Sequence, residues 1–302
     1  MKVRESLGDR VFNIINAALL TVVLLIVAYP LYFILIASVS DPYLVNTGKV
    51  LLFPGQFSLE GYKMVISFKD LWMGYRNTLF YASAGTLINL SVSLPAAYAL
   101  SRRDFRWKSF FVLLFTIPMF FSGGMIPTYL LMTRTLHLDD TVWAILLPGA
   151  TGMMQLVVAR TFFQSTIPDE LRESAEMDGA SNFRVFFTIV LPLSTAIIAV
   201  QGLQAAVGHW NAFFGAFLYL SDRGGRNLQP LSIVLRRVLL AAQASTVADE
   251  FMQDQTSYIE RLRRVEQIKY AMIIVSVIPI LIAYPFVQKY FVKGVMIGAI
   301  KG

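Results

Sequence analysis

Glu173-Ser174-Ala175-Glu176-Met177-Asp178-Gly179-Ala180, running on to Ile189-Val190-Leu191-Pro192, is an acidic, helix-forming insert set between long apolar runs. Pro168-Asp169-Glu170 precedes it and has the form of a helix start, with proline ahead of acids that suit the positive end of the helix dipole. The pattern predicts a short helix from Asp169 to about Met177. Gly179 then stands where a chain reversal needs a residue that tolerates positive φ. A second helix resumes near Ser181 and passes through Phe183, Phe186 and Phe187 into a further apolar run, where Leu191-Pro192 can break or kink it. Two readings of this helix, turn, helix insert stand at this point: a docking surface, or an amphipathic loop that caps a membrane span.

The rest of the chain places the insert in a bilayer. Over 302 residues, 56% are hydrophobic and 15% charged, and the mean hydropathy is +0.60, far from the averages of soluble proteins. Crossing ~30 Å of hydrocarbon takes about 20 mainly apolar residues. Six segments qualify: Val11 to Ser40, Asn77 to Leu100, Ser109 to Met132, Thr141 to Ala159, Phe186 to Val207 and Tyr270 to Gln288. They are expected to be helices, because lipid offers no partner for unpaired backbone groups and the runs are too long for barrel strands. The fold class expected is therefore all-α integral membrane, with six transmembrane helices. The run from Val11 to Val39 is too long for the apolar region of a cleaved signal, roughly 7–15 residues, so an uncleaved first span is expected.

Orientation follows from Lys and Arg in the short connections, which stay on the cytoplasmic side. Arg102, Arg103, Arg106 and Lys108 stand against the single acid Asp104, whereas the next short loop sets Arg134 against Asp139 and Asp140. Ser101 to Lys108 is then cytoplasmic, as are both termini and the loop from Arg160 to Arg184. The segments Asp41 to Arg76 and Ser221 to Lys269 become long external loops.

Composition also excludes chemistry. Cysteine is absent and histidine occurs twice, as His137 and His209, so neither a disulfide framework nor a thiolate or histidine metal centre is expected. No Gly-x4-Gly-Lys-Ser/Thr string is present to cradle a nucleotide's phosphates, and no convincing catalytic set can be assembled from the scattered acids. Polar residues inside spans are expensive and mark candidate pathways: Asn89, Ser91 and Ser93 in the second span, Gln155 in the fourth, and Gln201, Gln204, His209, Trp210 and Asn211 along the fifth. Each can equally serve helix packing. Trp210 beside Asn211 has the makings of a sugar-binding pair or of an interfacial anchor.

The insert resembles the signature loop of the permease subunits of bacterial binding-protein-dependent ABC importers. That pattern, Glu-Ala-Ala, three residues, Gly, nine residues, Ile, one residue, Leu-Pro, is met by Glu173-Ser174-Ala175, Gly179, Ile189 and Leu191-Pro192, with Ser174 for the usual Ala as the one departure. Further segments resemble the carbohydrate branch, of the maltose-permease type: Ala97-Tyr98-Ala99-Leu100-Ser101-Arg102, Gly123-Gly124-Met125-Ile126-Pro127-Thr128-Tyr129, Trp210-Asn211 and Tyr290-Phe291-Val292-Lys293-Gly294.

The resemblance implies a type I importer permease fold, with an N-terminal span and first external loop in residues 1–72. It implies a transmembrane core of five helices in residues 73–289 and a cytoplasmic tail in residues 290–302. It implies that Glu173, Ser174, Ala175, Asp178, Gly179, Ala180, Leu191 and Pro192 form a coupling helix and its exit, seated on a separate ATPase. ATP and Mg would be bound there and not by this chain, which is expected to hold no cofactor and to be no enzyme. The implied partners are a second homologous permease, two ATP-binding cassette subunits, an extracytoplasmic solute-binding protein, a carbohydrate cargo and membrane lipid, without nucleic acid, in a bacterial cytoplasmic membrane.

The loop from Ser221 carries Arg223, Arg226, Arg236 and Arg237, and the resemblance implies that it docks the binding protein. These arginines, with Arg261, Arg263 and Arg264, suggest an acidic cargo such as alginate or pectin fragments, or else are solvated surface charge. An independent secondary transporter or channel is the competing function. It predicts paired repeats and intramembrane ionisable groups, which the sequence does not display.

Overall fold

The computed structural model describes residues 6–121, 123–250, 268–282 and 285. Its main helices in chain order are α1 (Leu7–Ser38), α2 (Lys69–Ser101), α3 (Lys108–Phe120), α4 (Met125–Leu130), α5 (Trp143–Leu146), α6 (Met153–Thr166), α7 (Asp169–Met177), α8 (Asn182–Val185), α9 (Thr195–Trp210), α10 (Phe214–Tyr219), α11 (Leu231–Glu250) and α12 (Ile268–Ile282). The fold is all-helical, with no strand among the described residues and one isolated bridge, Ser40 with Phe57.

Two compact units can be distinguished, one drawing on residues 1–69 and 237–278, the other on 70–236 and 279–302. In the first unit α1 begins on a capping box: Asp9 N donates to Ser6 Oγ at 3.2 Å and Ser6 N donates back to Asp9 Oδ2 at 3.1 Å. Beyond that turn α1 is apolar on every face, with Leu19, Leu24, Leu25 and Ile26 all exposed, the pattern of a helix whose solvent is lipid. Its last turn packs Ile36 and Ala37 onto Val45 and Val50, and the Phe33 ring meets Tyr270 edge-on at 6.2 Å.

The second unit is organised by α2. Asn77, Tyr81, Gly85, Asn89, Ser93 and Ala97 recur every fourth residue, which aligns them on one face, and all six are buried. Ser91 falls between them and is exposed. This face is polar because its neighbours are not continuous helices. Asn77 Nδ2 donates to Asn227 O at 2.7 Å and to Gln229 O at 3.0 Å, and the Tyr81 hydroxyl donates to Leu228 O at 2.7 Å. Asn89 Nδ2 donates to Gly149 O at 3.0 Å, and Ser93 Oγ and Thr151 Oγ1 lie 3.0 Å apart. Asn77, Tyr81, Asn89 and Ser93 thus each meet a polar group of a loop or helix break, which cannot be left unpaired in hydrocarbon.

The third, fourth and fifth apolar runs are each broken, at or near Gly123-Gly124, Pro148 and Leu191-Pro192, which the sequence marks as bends or kinks. The third run divides between α3 and α4, which starts after Gly124 at φ 86°, a conformation open to glycine. The fourth divides at Pro148-Gly149 into α5 and α6, and α6 runs on to Thr166. The fifth passes through α8, a π-turn Phe186–Val190 and a short helix Leu191–Leu193 before an 83° bend leads into α9. Pro192 lies in that short helix, as its sequence reading as a kink required. Among the described residues α1 and α2 are each long and apolar enough to cross a membrane alone, and two bent pairs pass the same test together.

Around this frame Leu94, Ala97, Leu156, Ala159, Phe163, Val185, Phe186, Val190 and Ile197 form one core, with Tyr98 ringed by Phe163 and Phe186 at 5.9 and 5.4 Å. A second core joins Tyr81 to Ile145, Leu146, Ala216, Leu220 and Ile233. All of Phe251 to Val265, Arg261, Arg263 and Arg264 included, and the whole motif Tyr290 to Gly294 lie outside the described residues.

Candidate functional site

The insert folds as its sequence suggested. Helix α7 covers Asp169–Met177, follows Pro168 and carries Asp169 and Glu170 in its first turn. It ends at Asp178, whose N donates to Ser174 O at 3.1 Å, while Gly179 N donates to Glu176 O and Ala180 N to Ala175 O, each at 2.9 Å. Gly179 has φ 78°, with nothing near the place where a Cβ would stand, so glycine is needed there for its backbone and not for want of room. Ser181 then caps α8 by accepting from Arg184 N.

The two sides of α7 differ. Ala175 and Ala180 pack against the core formed by α2, α6 and the π-turn. Glu173, Ser174 and Asp178 are exposed, and beside them Leu171, Met177 and Phe183 present apolar surface, Met177 at 88% and Phe183 at 78% exposure. Acids interleaved with large exposed apolar side chains form a surface suited to a protein partner.

An arginine that had served only to orient the chain proves central to this region. Arg102, one residue past α2, donates to both carboxylate oxygens of Asp104 and to Asn182 Oδ1, and its Nη2 lies 3.6 Å from Glu176 Oε1. Arg172 meets Glu176 at 2.8 Å and Glu173 at 3.8 Å, and Gln164 Nε2 donates to Ser101 O at 3.2 Å. The hydrogen bond from Arg102 holds the Asp104 carboxyl below its ordinary range, and the same bond raises Arg102 in return. Glu176 raises Arg172 in the same way.

A second feature is a cavity of about 450 Å³ in the unit built on α2. It is lined by Asn89, Thr151, Gln155, Gln204, His209 and Tyr219, together with small residues including Gly149 and Gly208. No Lys, Arg, Asp or Glu is among its lining residues. Asn89 Nδ2 donates to Gln155 Oε1 at 2.8 Å, which leaves its Oδ1 buried without a partner among the described residues. That oxygen is an acceptor awaiting a donor, and a hydroxyl would supply one.

Of the polar residues singled out in the sequence, Asn89, Gln155, Gln204 and His209 meet at this cavity. Gln201 is buried beside it, donating from Nε2 to Gln155 O at 2.7 Å. Trp210 and Asn211 do not line it; they end α9 just past His209, which does. One helical residue is about 100° of rotation, so adjacent residues face different ways.

The loop from Ser221 is fastened by Asp140, which the sequence reading treated only as a loop charge. Its carboxylate accepts from Ser221 N and from Ser221 Oγ at 2.7 Å, and a Cβ on either Gly224 or Gly225 would collide with it. Arg226 pairs with Asp70 at 3.1 Å, and the Arg236 guanidinium lies 4.1 Å from the centre of the Phe217 ring. Arg223 is exposed and Arg237 half-buried. No group of three or more His, Asp or Glu arranged to hold a metal occurs among the described residues.

Comparison with known proteins agrees with this geometry. Residues 71–297 match the family described as binding-protein-dependent transport system inner membrane component. Protein LplC of Bacillus subtilis is 37% identical over 98% of this chain and 96% of its own. The polygalacturonan/rhamnogalacturonan transport system permease protein YtcP of the same organism is 36% identical over 97% and 99%. Among solved structures, a chain from the crystal structure of a bacterial ABC transporter involved in the import of the acidic polysaccharide alginate superposes with a TM-score of 0.84 at 31% identity, covering 96% of this chain and all of that one. With its helix, turn, helix insert, broken spans and full-length relatives, the chain belongs to the binding-protein-dependent transport system inner membrane component family, as a multi-pass permease.

Proposed function

We propose that this permease forms half of the translocation pathway of an ATP-driven, binding-protein-dependent importer of carbohydrates, with acidic oligosaccharides as its cargo. The observation that carries the reading is the exposed face of α7. Glu173, Met177 and Phe183 stand outward while Ala175 and Ala180 are packed inward, and Gly179 turns the chain back toward the span. In this reading α7 seats in a separate ATP-binding cassette subunit, which binds ATP and Mg and performs the hydrolysis, and this chain carries force and no chemistry. In this reading both termini and the 160–184 loop are cytoplasmic, which the Arg102, Arg103, Arg106 and Lys108 cluster supports.

The Asn89 cavity provides a neutral, hydrogen-bonding stretch of the path suited to hydroxyls, together with Gln155, Gln201 and Gln204; Trp210 and Asn211 stand at its border. On the opposite side the loop fastened by Asp140 meets the solute-binding protein through Arg223, Arg226, Arg236 and Arg237. The acidic cargo is supported by the alginate importer and by the polygalacturonan permease among the relatives. The partners are a second homologous permease, two ATP-binding subunits and the binding protein, in the bacterial cytoplasmic membrane. Extraction in mild detergent should co-purify all of these components. The same preparation distinguishes cargoes, with binding protein that retains oligogalacturonate or alginate oligomers in preference to neutral oligosaccharides expected. Uptake driven by a proton or sodium gradient with no ATPase bound would overturn the proposal.

A further inference from the structure

We infer that Arg102 is the positioning residue that makes α7 and the second span move as one piece, an inference that rests on α7 being the ATPase-docking helix. Three segments converge on its guanidinium. Asp104 belongs to the turn that ends α2, Glu176 to α7, and Asn182 to the first turn of α8. The Arg102 side chain is only 15% exposed, while Asp104 is 50% and Glu176 38% exposed, so the charges are partly screened and the link lies in the geometry of the fork.

The neighbouring cations hold less firmly. Arg172 pairs with Glu176 and Glu173 inside α7 itself, which stiffens the helix. Arg103 also bridges the end of α2 to α7, through Asp169 at 3.3 Å, but its side chain is 90% exposed and a single exposed pair is worth little. A planar guanidinium can hold Asp104 and Asn182 at fixed angles while its charge pairs with Glu176 at 3.6 Å, whereas an ammonium is a point charge that cannot hold the same fork. Because Arg102 is the first residue after α2, a push on α7 through Glu176 arrives directly at the end of the helix whose other turns hold Asn89 and the cavity. The core contact of Ala175 and Ala180 transmits compression. The Arg102 fork adds a link that resists separation and rotation.

The test uses the assembled importer. The chain has no cysteine, so cysteines introduced at Val92 and Glu170, both exposed and neither among the docking residues, are the sole labelling sites in this subunit for spin labels. The inter-label distance is measured by electron spin resonance in the nucleotide-free complex and after trapping with ATP and vanadate. With Arg102 intact a single distance is expected, the same in both states. R102K keeps the positive charge that orients the chain but loses the fork, and its trapped state should populate a displaced distance roughly tenfold more than the wild type, the scale of one lost charge-assisted hydrogen bond. N182A, which removes one arm, should show the same displacement to a smaller extent, and R103Q should show none.

A loss of stability alone would lower yield without separating the two nucleotide states. The inference is overturned if R102K and N182A keep one unchanged distance, if R103Q shifts as much as R102K, or if the labels already separate with Arg102 present. Failure of the ATPase to co-purify with the unaltered chain would overturn the docking reading and this inference with it. Co-purification with an unchanged R102K distance overturns this inference alone.

Discussion

The imidazole of His209 occupies the space that a side chain on Gly85 would need: a Cβ there would lie 2.6 Å from His209 Cε1 and closer still to Nε2 and Cδ2. Gly149 approaches the same ring from the break between α5 and α6, where a Cβ would stand 2.7 Å from Cε1. The ring is thus held between two glycines at the wall of the cavity, and the closeness of α2, α9 and the broken fourth run depends on both. Overpacking at such a contact costs about 1–3 kcal/mol. G85A should lower the thermal unfolding midpoint of the detergent-solubilised protein, and H209A should recover part of that loss in the double variant. Additive losses in G85A/H209A would show that the two positions are not in contact.

Asn89 supports the break at Gly149 through its amide nitrogen. N89A would leave Gly149 O and Gln155 Oε1 without that donor, at a cost of roughly 1–2 kcal/mol, and would remove the acceptor that faces the cavity. Lower thermal stability together with lower uptake per importer is expected. A ligand-path role without a structural one would reduce uptake and leave the unfolding midpoint where it was.

Gly179 is constrained by conformation alone. Its φ of 78° disfavours any L side chain, by about 1–2 kcal/mol, but open space surrounds it. G179N should be milder than G179V in ATPase co-purification, because asparagine tolerates the left-handed region and β-branched residues do not. Equal effects would argue that bulk matters at this position.

The Arg102 to Asp104 hydrogen bond predicts an acid limit for the α7 region. The Asp104 carboxyl is lowered from 3.8 by that bond. Its contribution to stability is therefore complete above about pH 4 and is lost as the pH falls through the depressed folded value. Asp104 is half exposed, so the effect is modest after screening. Hydrogen exchange of α7 should rise below pH 4 in the native chain, and D104N should exchange faster at neutral pH and respond less to acid.

The Glu173 to Pro192 insert was legible in the sequence because its features are local: proline and acids open α7, one glycine closes it, and one proline falls where the next span bends. The face of α2 was partly legible, since Asn89 and Ser93 were singled out, and a step of four from either reaches Asn77, Tyr81 and Gly85. What those residues bond to was not, because Gly149, Thr151 and Leu228 are remote in the chain and become neighbours only when the spans break. His209 and Trp210 were both singled out for their chemistry, and only the fold separates them, since His209 lines the cavity and Trp210 does not. Arg102 was visible as charge, but its fork requires the positions of Glu176 and Asn182, which folding alone supplies.

The central claim is that the outward face of α7 is where a separate ATPase delivers force, and the E173K/G179D variant tests it most directly. After reconstitution with the companion permease, the ATP-binding subunits and the binding protein, ATP hydrolysis and uptake are measured together. The variant is predicted to remain in the membrane with its companion permease while binding-protein-stimulated hydrolysis no longer drives uptake. Stimulated hydrolysis and uptake at the level of the unaltered chain would contradict the account.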